Sequence, residues 1–158
     1  MSTEVQKVLF FSSFNEKELS DYAKGFLEAA IDGEGSIFLT TYHRSKYTGR
    51  IYYNPGCQTG NKSKEWLELM REVAGDHGNI SGGKIEFYNY QMSWKGMRRI
   101  LPQLGLVIKE RQRVLILEAL DILAELRSYK NTEHFSFRDE GEYRLAEIAS
   151  EISELNNK

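Results

Sequence analysis

Residues 29–39 read AAIDGEGSIFL, and the four positions Asp32-Gly33-Glu34-Gly35 alternate acid and glycine. A helix that ends at Gly33 projects Glu34 beyond its last turn, with no side chain on either neighbour. Behind it, Gly25, Ala29 and Gly33 recur every four residues and share one stripe of that helix. Such a stripe admits a second helix at close range. If that helix is the same segment of another copy, two Glu34 carboxylates meet near one axis and repel unless cations lie between them. Carboxylates, backbone carbonyls and waters are the ligands that hard divalent ions take. An ion so held activates water and offsets charge in phosphodiester hydrolysis. The competing reading of the four residues is a capped helix feeding a hairpin, with Glu34 solvated.

The elements that must position this stretch follow from periodicity. Leu19, Tyr22, Ala23, Phe26, Leu27, Ala30 and Ile31 predict a helix over Glu16–Gly33, with Gly35 suited to a left-handed stop. Ser36–Tyr47 reads as a long strand, Tyr47–Arg50 as a turn and Ile51–Gln58 as the returning strand. Pro55 and Gly56 point to a bulge or an edge position there. Asn61 is placed to cap a helix running to Ala74. Asn79–Ser81 and Ile85–Met92 form a hairpin around Gly82-Gly83. A short helix over Lys95–Leu104, a long one over Glu110–Tyr129 and an amphipathic one over Glu140–Leu155 complete the chain. The order is αββαββα with a C-terminal helix, an α+β class with helices on one face of an antiparallel sheet.

Length and composition narrow the partners. With 158 residues, 41% of them hydrophobic, the chain reads as a single domain over 1–158, with residues 1–15 as an N-terminal extension and 130–158 as a helical C-terminal segment. One cysteine, Cys57, excludes an internal disulfide and suits a reducing, intracellular compartment. No run approaches a membrane span, and MSTEVQKVLFFSSF lacks the features of a secretory signal. His43, His77 and His134 lie too far apart for a zinc site. The net charge is −2, yet residues 1–35, 36–64, 65–83, 84–113 and 114–158 carry −4, +5, −3, +5 and −5. Residues 36–64 hold no acid at all. Two basic segments gathered on one side would form a polyanion footprint beneath a neutral total.

The exposed strand face favours nucleic acid among polyanions. Thr40, Tyr42, Arg44 and Lys46 alternate on the first strand, Tyr52, Asn54 and Gln58 on the second, and Asn89 and Gln91 on the last. Side chains of these types hydrogen-bond base edges. An ordinary solvated sheet face is the plain alternative.

AIDGEGSI, closing a helix and opening a long strand, resembles the motif of the LAGLIDADG homing endonucleases, and the αββαββα order extends the resemblance over roughly residues 17–129. A single copy of the motif matches the members that act as homodimers. The resemblance implies a saddle-shaped sheet over the major groove of double-stranded DNA. It implies cleavage of both strands of a long, nearly palindromic site with 3′ overhangs, and Mg²⁺ as the cofactor. Carried over by motif, Glu34 is the metal-binding acid and Gly33 contributes a carbonyl. Asn61, in GNKSKEWLEL, orders water, and Lys109, in VIKERQR, stabilises charge at the phosphate. These make Glu34, Asn61 and Lys109 the catalytic residues and Gly25, Ala29 and Gly33 the dimer stripe. Thr40, Tyr42, Arg44, Lys46, Tyr52, Asn54, Gln58, Lys84, Asn89 and Gln91 are base-reading candidates. Lys62, Lys64, Lys95, Arg98, Arg99, Arg111 and Arg113 are phosphate contacts. The motif departs from LAGFIDGEG at Glu28 and Ala29; a bond to Lys24, four residues earlier, is one outlet for Glu28. The rival reading is a DNA- or RNA-binding protein without cleavage, such as an intron-splicing maturase or regulator. A small-molecule enzyme finds no supporting motif.

Overall fold

The computed structural model describes residues 18–43, 51–128 and 135–158. The expected turn at Tyr47–Arg50, the side chains of Tyr42, His43, Arg44 and Lys46, and the block VLFFSSF lie outside the described residues. The elements are α1 (Asp21–Glu34), β1 (Gly35–His43), β2 (Ile51–Asn61), α2 (Lys64–Val73), β3 (Asn79–Gly82), β4 (Tyr88–Gln91), α3 (Trp94–Ile100), a 3-10 turn (Leu101–Gln103), α4 (Glu110–Ser128) and α5 (Phe135–Asn156). The αββαββα order and the C-terminal helix are as the periodicity predicts. The strands form one sheet in the order β1-β2-β4-β3. β2 therefore has a neighbour on each side, but β4 pairs only with its Gln58–Asn61 end, so Pro55 and Gly56, expected at a bulge or an edge position, lie outside that pairing. Gly56 serves another purpose: a Cβ there would lie 2.1 Å from the Phe38 ring.

Several boundaries move for identifiable reasons. α1 starts at Asp21 because Ser20 caps it, its hydroxyl accepting from Ala23 N at 3.1 Å. Gly35 follows in extended backbone with φ −86°, not in a left-handed stop. Space dictates this glycine, since a Cβ would fall 2.8 Å from Ile31 Cα and O. Asn61 ends β2, and the cap of α2 is Ser63, which accepts from Trp66 N at 3.2 Å. The predicted strand over Ile85–Met92 shrinks to Tyr88–Gln91 because Lys84–Phe87 belong to the turn. That turn needs Gly82 at φ +106° and Gly83 at φ +100°, and Glu86 also takes a positive φ. The helix predicted over Lys95–Leu104 tightens to a 3-10 turn at Leu101, where Pro102 follows. α5 is longer than expected, beginning at Phe135.

The chain divides into two compact units, one made of Met1–Ser36 with Cys57–Glu110, the other of Ile37–Gly56 with Arg111–Lys158. In the first, Leu27, Ile31, Leu67, Met70, Tyr90, Met92, Met97 and Leu101 are fully buried. In the second, Ile37, Leu115, Ile116, Leu120, Leu145, Ile148 and Ile152 form the core. There Arg144 holds Glu118 in a two-pronged bond at 2.7 and 2.9 Å, and Asn156 Nδ2 donates to Ile37 O at 2.8 Å.

Candidate active site

The first unit gathers the residues of the DGEG stretch. α1 delivers Glu34 at its last position, exposed to solvent. Asn61, at the end of β2, donates from Nδ2 to Glu34 Oε2 at 2.7 Å. The other end of the same amide is fixed, because Asn61 Oδ1 accepts from Ser63 N at 2.8 Å. An amide oxygen held by a backbone N–H leaves only the NH₂ to face Glu34. Asn61 is thus a tether for the acid and not the helix cap. One Glu34 oxygen is held, and among the described residues the other accepts no hydrogen bond.

Lys109 reaches the same helix end by a different route. The Asp32 carboxylate accepts from the backbone N–H groups of Val107 at 2.7 Å, Ile108 at 3.2 Å and Lys109 at 3.0 Å. Lys109 Nζ donates to the Asp32 carbonyl oxygen. Burial alone would raise the Asp32 carboxyl, but the three amides and the Lys109 charge outweigh it and hold the group below the usual carboxylate value. Glu28 Oε2 accepts from Gly105 N at 3.0 Å, so it docks the same loop and the expected bond to Lys24 is not made. Nothing in the local sequence assigns Asp32 these partners. A signal was present: acids in the last turn of a helix oppose its dipole and need a partner elsewhere.

The small-residue stripe is open. Gly25, Ala29 and Gly33 are exposed, and a Cβ built on Gly25 or Gly33 would meet nothing within 4 Å. Among the described residues no cluster of three or more His, Cys, Asp or Glu could hold a metal ion. One chain offers the Glu34 carboxylate and the Gly33 carbonyl, a hard-oxygen donor pair that fits part of a divalent site and leaves the rest to a second donor set. Asp32 is not available to it, being spent on three amides. Cys57, beside Lys109 in charge but fully buried, has its thiol pushed up to about 12 and stays protonated.

The remaining candidates differ in exposure and in the contacts they make. On β2 the residues at 53, 55, 57 and 59 are buried, while Tyr52, Asn54 and Gln58 lie on the opposite, partly exposed face. Asn89 and Gln91 share a face opposite the buried Tyr90. Thr40 is exposed and its hydroxyl donates to Asn54 O at 3.2 Å. Lys62, Lys84, Lys95 and Arg98 are exposed. Lys64 pairs with Glu68 at 3.8 Å and sits 6.0 Å from the Tyr88 ring. Arg99 Nη1 lies 3.3 Å from His77 Nε2, and burial together with this guanidinium and Lys95 lowers the imidazole below its ordinary value. Arg111 is held by Glu151 at 2.8 Å. Arg113 is half-buried and engaged.

The architecture has close counterparts among solved structures. The archaeal intron-encoded homing endonuclease I-Vdi141I, solved in complex with DNA, superposes with a TM-score of 0.70 at 22% identity, covering 85% of this chain and 84% of that one. The fold is that of the LAGLIDADG homing endonucleases. I-TnaI, a homing endonuclease, gives 0.65 at 14% identity over 85% of this chain and 93% of its own. I-CvuI, solved with the I-CreI target in the presence of Mg, gives 0.64 at 15% over 83% and 81%. No family model matches the chain, and no curated protein matches it either. Among the described residues no helix is long and apolar enough to cross a membrane.

Proposed function

We propose that the chain is a site-specific DNA endonuclease that acts as a homodimer on a long, nearly palindromic duplex. It cuts both strands by divalent-metal-dependent phosphodiester hydrolysis and leaves 3′ overhangs. The observation that carries this reading is the exposed Glu34 carboxylate, steered by Asn61 at the open end of α1, with Lys109 tied to the same turn. It sits in the fold of enzymes solved with DNA, one of them in the presence of Mg.

Each residue has a task. Gly25, Ala29 and Gly33 let the same helix of a second copy approach, which brings two Glu34 side chains together. Glu34 and the Gly33 carbonyl would hold Mg²⁺, which when bound would supply activation of water and offset charge on the scissile phosphate. Asn61 keeps one carboxylate oxygen in place and presents the NH₂ edge toward the site. The Lys109 ammonium has three donors and spends one on Asp32, so two remain for a phosphate oxygen. Thr40, Tyr42, Arg44, Lys46, Tyr52, Asn54, Gln58, Lys84, Asn89 and Gln91 read base edges, and Lys62, Lys64, Lys95, Arg98, Arg99, Arg111 and Arg113 meet phosphates. Arg111 must exchange Glu151 for a phosphate to do so.

Cleavage selection tests the reading. The protein and Mg²⁺ are incubated with a randomised library of near-palindromic duplexes, and the cut ends are sequenced. A two-fold consensus with 3′ overhangs is expected. Duplexes retained but never cut would instead support the binding-only rival.

A further inference from the structure

The register of the first unit aligns three carboxamides. Gln58 on β2 faces Gln91 on β4, and Gln91 faces Asn79 on β3. Directly opposed residues share one face of a sheet. The next row, Thr59, Tyr90 and Ile80, turns the other way, with Thr59 and Tyr90 buried. The amide row is therefore on the outer face, Asn79 and Gln91 exposed and Gln58 half-buried. Among the described residues no hydrogen bond within the chain takes up these three side-chain amides. Asn is depleted in strands, so strand propensity does not account for Asn79 in this row.

One row further along the same face, Gly60 pairs with Asn89. A Cβ on Gly60 would lie 2.7 Å from the Phe87 ring and 2.9 Å from Asn89 Oδ1. Gly60 thus leaves a seat for an aromatic ring beside the amides. Phe87 remains partly exposed there. The outer face of β2, β4 and β3 presents carboxamides, the Ser81 hydroxyl and one apolar ring, with no charged side chain in either row.

We infer that this patch reads A·T base pairs, and that Asn79 is a specificity-determining residue alongside Gln58 and Gln91. A carboxamide gives a donor and an acceptor in the geometry of adenine N7 and N6, whereas guanine offers two acceptors and calls for Arg or Lys. An apolar ring suits the thymine methyl. Neighbouring strands lie about 4.8 Å apart, so the three amides span about 10 Å, close to three base-pair steps. The inference rests on the proposed DNA-binding reading and adds the base class that this part of each half-site must carry.

Selection of bound duplexes, with chelator present so that cleavage plays no part, tests it. The randomised library is offered to the wild type and to the variants Asn79→Ala and Gln91→Arg. The wild type should enrich A·T pairs at about three positions in each half-site. Asn79→Ala should flatten one of them, by on the order of ten-fold in preference. Gln91→Arg should convert a neighbouring one to a G preference of similar size, a gain that a misfolded chain cannot produce. A two-fold consensus without A·T at positions that respond to these variants would overturn this inference and leave the endonuclease reading intact. Absence of any sequence selection by the wild type would overturn both.

Discussion

The end of α1 and the outer face of β2, β4 and β3 use polar side chains in opposite ways. At the helix end almost every group is committed: Asp32 to three amides, Lys109 to the Asp32 carbonyl, and Asn61 to both Glu34 and Ser63. On the strand face the amides of Gln58, Asn79 and Gln91 have no intrachain partner among the described residues. The difference separates two physical needs. Chemistry needs charges held in place before the substrate arrives, because reorganisation then costs nothing at the transition state. Recognition needs donors and acceptors left unsatisfied, because only those can distinguish one base edge from another.

That contrast can be broken in several places. Gly25→Leu fills open space on the α1 stripe, so the chain should stay folded by circular dichroism, lose its dimer in sedimentation and lose cleavage completely. A dimeric, cutting Gly25→Leu protein would remove the stripe from the interface. Lys109→Ala should slow single-turnover cleavage by roughly 10²–10³-fold, the loss expected when one donor to a developing negative charge is deleted. Asp32→Asn keeps the shape but replaces a charged acceptor shared by three amides. It should lower stability by about 1–2 kcal/mol in denaturant titration and slow cleavage by roughly 10-fold through the displaced Lys109.

Smaller effects mark the other side of the contrast. Asn79→Ala and Gln91→Ala should leave stability within about 0.5 kcal/mol, since no intrachain bond is lost; a larger loss would mean the amides are structural. Glu118→Gln in the second unit should cost less than about 1 kcal/mol and leave cleavage unchanged. The bond to Arg144 holds the Glu118 carboxyl below its ordinary 4.5. A depressed carboxylate stabilises above its unfolded pKa, so the Glu118→Gln difference should be full at neutral pH and fade as pH falls below 4.5.

The element order was legible because hydrophobic periodicity switches clearly between helix and strand along Leu19–Ile31, Ile51–Gln58 and Glu110–Ser128. The place of Glu34 at the helix end and the exposure of Gly25, Ala29 and Gly33 were legible because the spacing of small residues is a local property. Asn61 was placed at the correct point but given the wrong bond. A helix-start signal cannot tell whether Asn61 or Ser63, two residues apart, makes the cap. The role of Asp32 was hidden because its partners lie 75 to 77 residues away. Asn79 was hidden because its alignment with Gln91 depends on strand register, which a turn with three positive-φ residues sets. The β4 boundary was missed for the same reason.

Asp32 and Glu34, two acids separated by one glycine, carry the sharpest difference in the molecule: one is bonded to three amides and the other is exposed. The direct measurement is Glu34→Gln assayed against a selected duplex for both cleavage and binding. Glutamine keeps the size and the bond partner for Asn61 but not the charge that holds a cation. The account predicts a cleavage loss of roughly a thousand-fold or more with binding preserved. Cleavage at the wild-type rate by Glu34→Gln would contradict it.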